Sequence, residues 1–193
     1  MSRDRPWLDE PDHDEFISHG LQCVMHRDPH FKSWCGYVGV PETHTLFGVS
    51  FHDHIPYPDV WRERAINLDE QGVINTIIAL FDPDEVPTGF APFSMVFGVH
   101  GGMSFSEPRR EFPHLWFFGF DCSHAGDYAP GMHEVLEDFP TLAAHHLQGV
   151  YRSFDYVRGE CTQLAAQLSE YVPSEGTEDA LKALRHNASR HIE

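Results

Sequence analysis

Seven apolar residues near the C-terminal end of the chain recur at alternating spacings of four and three residues. They are Val150, Phe154, Val157, Cys161, Leu164, Leu168 and Tyr171. This spacing puts all seven on one side of an α-helix, so it predicts a helix over 150–171 that ends before Pro173. Such an apolar face must be buried, either against a sheet of the same chain or against a second copy in a homodimer.

The remaining apolar segments are short and are typical of strands, because they contain many β-branched and aromatic residues and are bounded by turn residues. They cover residues 20–26, 34–40, 73–81, 95–100 and 115–121. The connection over 101–114 is short, which favours antiparallel pairing of the last two. The sequence therefore predicts a single α+β domain with a mainly antiparallel sheet and the long C-terminal amphipathic helix packed on it. Its parts are an acidic N-terminal arm over 1–15, the domain over 16–172 and a helical tail over 173–193.

Charge and composition exclude several classes of function. The 193 residues carry 13 Lys and Arg against 30 Asp and Glu, a formal net charge of −17. This balance argues against direct binding of nucleic acid, which needs basic patches. No apolar run reaches the roughly 20 residues of a membrane span, and the N-terminal residues have no apolar segment of a secretion signal. The four Cys have no zinc-binding spacing, so free thiols in a reducing compartment are expected.

Two polar motifs follow apolar segments and are the best candidates for a functional site. The first is His100-Gly101-Gly102, and the second is the loop from Asp121 to Asp127, which contains His124. Loops at strand ends often carry function, because the strand fixes the side chains and the loop exposes them. Two hypotheses with different chemistry follow.

One hypothesis is a divalent metal site, and the other is a pocket for a small polar, nucleotide-like ligand. Imidazole and carboxylate ligands suit Zn²⁺, Mn²⁺ or Fe²⁺. In the pocket, glycine backbone would approach a phosphate and aromatic rings would stack on a base. The metal ligands would be His100, Asp121, His124 and Asp127, and the pocket would add Tyr37, Gly101, Gly102 and Trp116. The alternatives are a hydrogen-bonded structural loop and a nucleophilic Cys122.

Several strings in the chain, taken together, resemble a family of small uncharacterised proteins from bacteriophages, especially those of actinobacteria. They are EPDHDEF, WCGYVGVPETHTLFG, VHGGMSF, LWFFGFDCSHAGDY and YRSFDYVRGECTQLAAQL. The resemblance covers about residues 10–170. It implies a phage setting, the host-cell cytoplasm, and an insertion within residues 52–94, where family members are shorter. It implies no particular chemistry.

The setting and the residues together predict a phage accessory protein active against a host defence. In the favoured form, its pocket sequesters or hydrolyses a small nucleotide-like molecule. The first alternative is an acidic decoy that binds a host defence protein directly, for example by mimicking nucleic acid. The second alternative is a metal-dependent hydrolase. Whether the protein is an enzyme stays open, and no membrane partner is expected.

Overall fold

The computed structural model describes residues 5–56, 58, 89–132, 136 and 138–188. The strand predicted over 73–81 lies outside the described residues, as does most of the predicted insertion. A short 3-10 helix, Pro6–Leu8, precedes the first strand. The strands are β1 (His13–Ser18), β2 (Leu21–Arg27), β3 (Trp34–Pro41), β4 (His54–Pro56), β5 (Phe90–Pro92), β6 (Phe105–Arg109) and β7 (Phe112–Asp121). The helices are α1 (Phe93–Val96), α2 (Pro140–His146), α3 (Phe154–Glu170) and α4 (Glu178–Ala188).

Five strands form one sheet in the order β1-β2-β3-β7-β6, and β4 pairs with β5 in a second sheet. The β1–β2 and β2–β3 pairs are antiparallel, with Val24 opposite Tyr37 in the latter. The predicted strands 20–26, 34–40 and 115–121 correspond to β2, β3 and part of β7. The predicted acidic arm is not separate from the sheet, because its last residues belong to β1.

Helix α3 packs on this sheet, which confirms the predicted α+β class. Its residues Val157, Cys161, Leu164 and Leu168 are fully buried. A Cβ atom on Gly36 of β3 would lie 2.6 Å from the Cys161 sulfur, so the helix and the strand are in close contact here. The prediction that the buried stripe begins at Val150 is wrong. Val150 precedes the helix, pairs with Asp127 in an isolated bridge and is 56% exposed.

The strand predicted over 95–100 is also wrong. Pro92 precedes one helical turn, and the rings of Phe93 and Phe97 pack 4.7 Å apart at a helical spacing of four residues. Apolar residues in so short a run fit both the 3.6-residue period of a helix and the two-residue period of a strand, so the pattern did not distinguish the two. The edge strand is instead β6, which a two-residue turn joins to its neighbour β7; this hairpin must be antiparallel.

Contacts between residues divide the chain into two compact units. The first contains Met1–Val40, Val99–Phe105 and Phe117–Ser169, and the second contains Pro41–Gly98, Ser106–Trp116 and Glu170–Glu193. In the second unit, α4 buries Leu181, and Arg185 donates hydrogen bonds to the carbonyls of His44 and Thr45. Within the described ranges, no helix combines the length and the apolar composition needed to cross a bilayer.

Candidate metal centre

Two tight turns of the first unit carry the predicted polar motifs. In the first turn, the Gly102 N–H donates to the Val99 carbonyl at 3.1 Å, and Gly101 has a φ of +66°. In the second turn, the Asp127 N–H donates to the His124 carbonyl at 2.9 Å, and Gly126 has a φ of +95°. Glycine at the third position with positive φ is typical of type II turns. The glycines thus let the chain reverse sharply and present the side chains beside them.

The two turns pack closely against each other because Gly101 has no side chain. A Cβ atom on Gly101 would lie 2.0 Å from the His124 ring, so only glycine leaves room for that imidazole. The His100 and His124 rings are 5.6 Å apart, centroid to centroid, at an angle of 73°. The predicted role of the two glycines changes accordingly. Gly101 makes space for a ring, and Gly102 uses its N–H to close the turn instead of offering it to a phosphate.

His100, His124 and Asp127 bring three potential ligand atoms together. The Asp127 Oδ2 atom lies 2.8 Å from His100 Nε2 and 3.6 Å from His124 Nδ1. All three ligand atoms lie within 4.8 Å of one another. The Nδ1 atom of His124 is buried, yet it makes no hydrogen bond to any residue that the structure describes. A buried nitrogen without such a bond, facing a carboxylate, is a suitable ligand position for a cation.

Asp127 is the central residue of this cluster and is only 4% exposed. Its Oδ1 atom accepts a hydrogen bond from Arg152 Nε at 2.8 Å, while Oδ2 also accepts one from the His124 N–H at 3.1 Å. Burial alone would raise the pKa of Asp127. The hydrogen bonds from His100, Arg152 and the His124 N–H outweigh burial and hold that pKa below its ordinary value. Asp127 is therefore ionised at neutral pH.

Asp121 lies at the edge of the cluster, with its Oδ1 atom 3.9 Å from His124 Nδ1. The Ser123 hydroxyl donates to Oδ1 at 2.6 Å, and the Ser104 hydroxyl donates to Oδ2 at 3.1 Å. Burial acts to raise the pKa of Asp121, but the bonds from Ser123, the nearby His124 and the Ser104 bond lower it overall. Asp121 is thus a second carboxylate beside the cluster and not one of its three closest ligand atoms.

Helix α3 holds His100 in place through two residues that were not among the predicted site residues. The Tyr156 hydroxyl lies 3.1 Å from His100 Nδ1, and Glu160 Oε2 accepts a hydrogen bond from the His100 backbone N–H at 2.8 Å. Residues four apart share one side of a helix, so this polar pair was visible in the sequence beside the apolar stripe. A tyrosine hydroxyl both donates and accepts, so Tyr156 supports either tautomer of His100.

Tyr37 belongs to the same unit but points away from the cluster. Gly36 faces Cys161 of α3, and successive residues of a strand face opposite sides of the sheet. Tyr37 therefore lies on the other face, where its ring stacks on His26 at 5.2 Å and meets the edge of Phe105 at 5.2 Å. Strand alternation thus separates this predicted pocket residue from the polar turns.

Trp116 and Cys122 are core residues. Trp116 belongs to the second unit, is 5% exposed and donates its indole N–H to the Val49 carbonyl at 2.9 Å. Cys122 is 2% exposed, and burial, with a smaller contribution from the negative charge of Asp127, raises the pKa of its thiol. A protonated, buried thiol is a poor nucleophile at neutral pH, which argues against the predicted cysteine chemistry.

The donor set fits a divalent metal ion. Two imidazoles and one carboxylate suit Zn²⁺, Mn²⁺ or Fe²⁺. Ligand atoms bound at about 2.1 Å lie roughly 3.0–3.4 Å apart, so the three atoms, which lie within 4.8 Å of one another, need only small shifts to hold an ion. His100 must present Nε2 without its proton, and the Tyr156 hydroxyl then accepts from Nδ1. No protein-family model, curated protein or solved structure matches the chain, so the interpretation depends on this geometry.

Proposed function

We propose that this chain is a metal-binding protein in which His100, His124 and Asp127 hold one divalent ion, Zn²⁺, Mn²⁺ or Fe²⁺. The proposal is supported by one observation: ligand atoms from two separate turns lie within 4.8 Å of one another. Three protein ligands leave coordination positions open, as in catalytic centres and in contrast to closed structural sites. The open positions take a small polar ligand.

The surrounding residues support binding more directly than turnover. A bound ion would polarise a ligand oxygen or lower the pKa of a water molecule. Asp127 supplies charge, Arg152 and the His124 N–H orient its carboxylate, and Tyr156 and Glu160 hold His100 in place. We therefore propose first that the protein sequesters its ligand. Hydrolysis of the ligand would also need a water molecule at an open coordination position of the ion.

The biological setting rests on the sequence resemblance alone. A phage accessory protein that acts in the host-cell cytoplasm against a defence system would use such a centre to capture a nucleotide-like signal. This setting stays a prediction, and the metal-binding test below does not depend on it.

The alternative of an acidic decoy needs carboxylates that are free to meet a basic partner. Some of the N-terminal acids are already paired within the chain. Glu10 Oε2 lies 2.9 Å from Arg27 Nη2, and Asp14 forms an ion pair with Arg158. The decoy stays a prediction, with steep loss of partner binding at high salt as its test.

The direct test is a titration of the full-length protein with Zn²⁺ or Mn²⁺ by calorimetry. We expect one ion per chain, and we expect His124→Ala to weaken binding at least tenfold because it removes a ligand. His124 suits this test because its side chain is 35% exposed and its loss leaves the Asp127–Arg152 pair intact.

The matched control is His145→Ala, which removes an exposed imidazole of α2 outside the cluster. It should leave the affinity unchanged, and circular dichroism should show both variants folded. The proposal fails if the wild-type protein binds no divalent ion, or if His124→Ala binds as tightly as His145→Ala.

A further inference from the structure

We infer that the metal-loaded centre binds a phosphate group between the ion and Arg152, and that phosphate binds only after the metal. This inference rests on the proposed function and names the class of ligand that the centre takes. It follows from the Nη atoms on the outer edge of the Arg152 guanidinium, the position of Asp127 and the balance of charge around the cluster.

Arg152 has hydrogen-bonding capacity that its partner does not use. Its Nε–H donates to Asp127 at 2.8 Å, while its Nη atoms have no partner among the described residues. The guanidinium carbon lies 5.0 Å from the centroid of the Tyr156 ring, a cation–π contact that adds to the hydrogen bond in positioning the group. Its side chain remains 26% exposed, so a ligand can reach it. A fixed guanidinium edge is the protein group best suited to two oxygens of a phosphate.

Asp127 places this guanidinium beside the metal position. One oxygen of its carboxylate faces Arg152, and the other faces His100 and His124. A single carboxylate therefore separates the ion from the guanidinium. A phosphate group can bridge them, with one oxygen about 2.1 Å from the ion and others about 2.8 Å from Arg152 nitrogens. A simple carboxylate with one oxygen on the ion has a single oxygen left for Arg152, whereas a phosphate has at least two and can pair with both nitrogens of the edge.

The charges around the cluster make this binding depend on the metal. Asp121, Asp127 and Glu160 contribute three negative charges, and Arg152 contributes one positive charge. Without an ion, the cluster is net negative in a chain of net charge −17, so it repels an anion. A divalent ion neutralises the cluster and directs positive charge to its open positions. By linkage, phosphate must then raise the affinity for the metal by the same factor.

The experiment titrates the full-length protein with inorganic phosphate, once without metal and once loaded with Mn²⁺. Binding is followed by calorimetry and by paramagnetic broadening of the ³¹P signal. We expect phosphate to bind at least tenfold more tightly to the loaded protein. We also expect Mn²⁺ to bind tenfold more tightly in phosphate, and acetate to show neither effect. Adenosine monophosphate, titrated in parallel, tests whether a phosphate ester is preferred to the free anion.

Two variants isolate the role of Arg152 from that of the metal ligands. Arg152→Lys keeps a positive charge beside Asp127 but lacks the planar edge. Its phosphate affinity, measured with Mn²⁺ at a concentration that saturates the variant, should fall at least tenfold. Arg152→Gln should do the same, provided that its circular dichroism matches the wild type. Arg110→Gln, an exposed arginine outside the cluster, is the control and should change nothing.

The outcomes separate this inference from the proposed function. If the wild type binds no Mn²⁺, both are wrong. If Mn²⁺ binds but phosphate binds the metal-free protein equally well, or if Arg152→Lys retains full phosphate affinity, this inference is wrong and the metal centre stands. Equal binding of acetate would show that the centre takes anions in general and would overturn the phosphate assignment.

Discussion

A single carboxylate, Asp127, connects the two polar turns with the segment that leads into α3. It accepts hydrogen bonds from His100, Arg152 and the His124 N–H while almost completely buried. A buried charge is stable only when it is paired and hydrogen-bonded, which this arrangement achieves without a metal. The metal-free cluster is therefore ordered in advance. To bind, an ion needs small shifts of the two imidazoles and a His100 ring whose proton is on Nδ1, facing the Tyr156 hydroxyl.

The neighbouring glycines allow a prediction about one side-chain position. Gly101→Ala places a methyl group 2.0 Å from the His124 ring at a φ of +66°, so the imidazole must move. We expect a loss of about 2–3 kcal/mol in the free energy of unfolding and at least tenfold weaker Zn²⁺ binding. Urea unfolding and calorimetry measure the two effects.

The matched control is Gly102→Ala. Its φ of +93° carries a similar backbone strain, but nothing lies within 4 Å of the new Cβ atom. It should lose stability yet keep most of the metal affinity. Equal losses of affinity in both variants would show that backbone strain, and not displacement of His124, controls the site.

Helix α3 contributes to both the core and the candidate site, on different sides. Val157, Cys161 and Leu164 are buried, while Tyr156 and Glu160 contact His100. The apolar stripe was evident from the sequence because helical periodicity is local. The polar contacts were not, because they depend on which turn of the chain comes to lie beside the helix.

The closeness of α3 to β3 can be tested with two glycines. Gly36→Ala would place a Cβ atom 2.6 Å from both the Cys161 sulfur and the Phe120 ring, so the helix must move away from the sheet. We expect a loss of about 1–3 kcal/mol in the free energy of unfolding. Gly159→Ala, within α3, meets nothing within 4 Å and should gain about 0.5–1 kcal/mol.

Chemical denaturation of the two variants and the wild type measures the free energy of unfolding and so checks the expected loss in Gly36→Ala and the expected gain in Gly159→Ala. The close packing is contradicted if Gly36→Ala is as stable as the wild type. A loss of stability in Gly159→Ala would contradict the open space found beside that position of the helix.

At the scale of the whole molecule, the acidic N-terminal segment is part of the folded first unit. The Glu10 carboxylate accepts hydrogen bonds from the Tyr151 hydroxyl at 2.6 Å, the Phe154 N–H at 3.1 Å and Arg27 at 2.9 Å. It thereby joins β2 to the start of α3. Burial and this hydrogen bond to Glu10 raise the pKa of Tyr151. The sequence had predicted a separate acidic arm over residues 1–15.

Removing this carboxylate should destabilise the protein. Glu10→Ala leaves Arg27, whose side chain is only 3% exposed, without its best partner. We expect a loss of about 3 kcal/mol or more in the free energy of unfolding. Glu15→Ala removes an equal charge at an exposed position of β1 and should change stability by less than about 0.5 kcal/mol. Similar results for the two variants would show that net charge, and not the Glu10 contacts, determines stability.

The sequence by itself determined the elements with clear local periods: the α3 stripe, the β2–β3 hairpin and the strand leading to Asp121. It also marked His100, His124 and Asp127 as chemically notable. Only the tertiary structure decided that the turn after His100 meets the turn after His124 and that Tyr37 faces the other side of the sheet. It also decided that a helical turn, Phe93–Val96, overlaps the strand predicted over 95–100. Periodicity reflects neighbours along the chain, whereas a metal centre depends on distances between residues far apart in sequence.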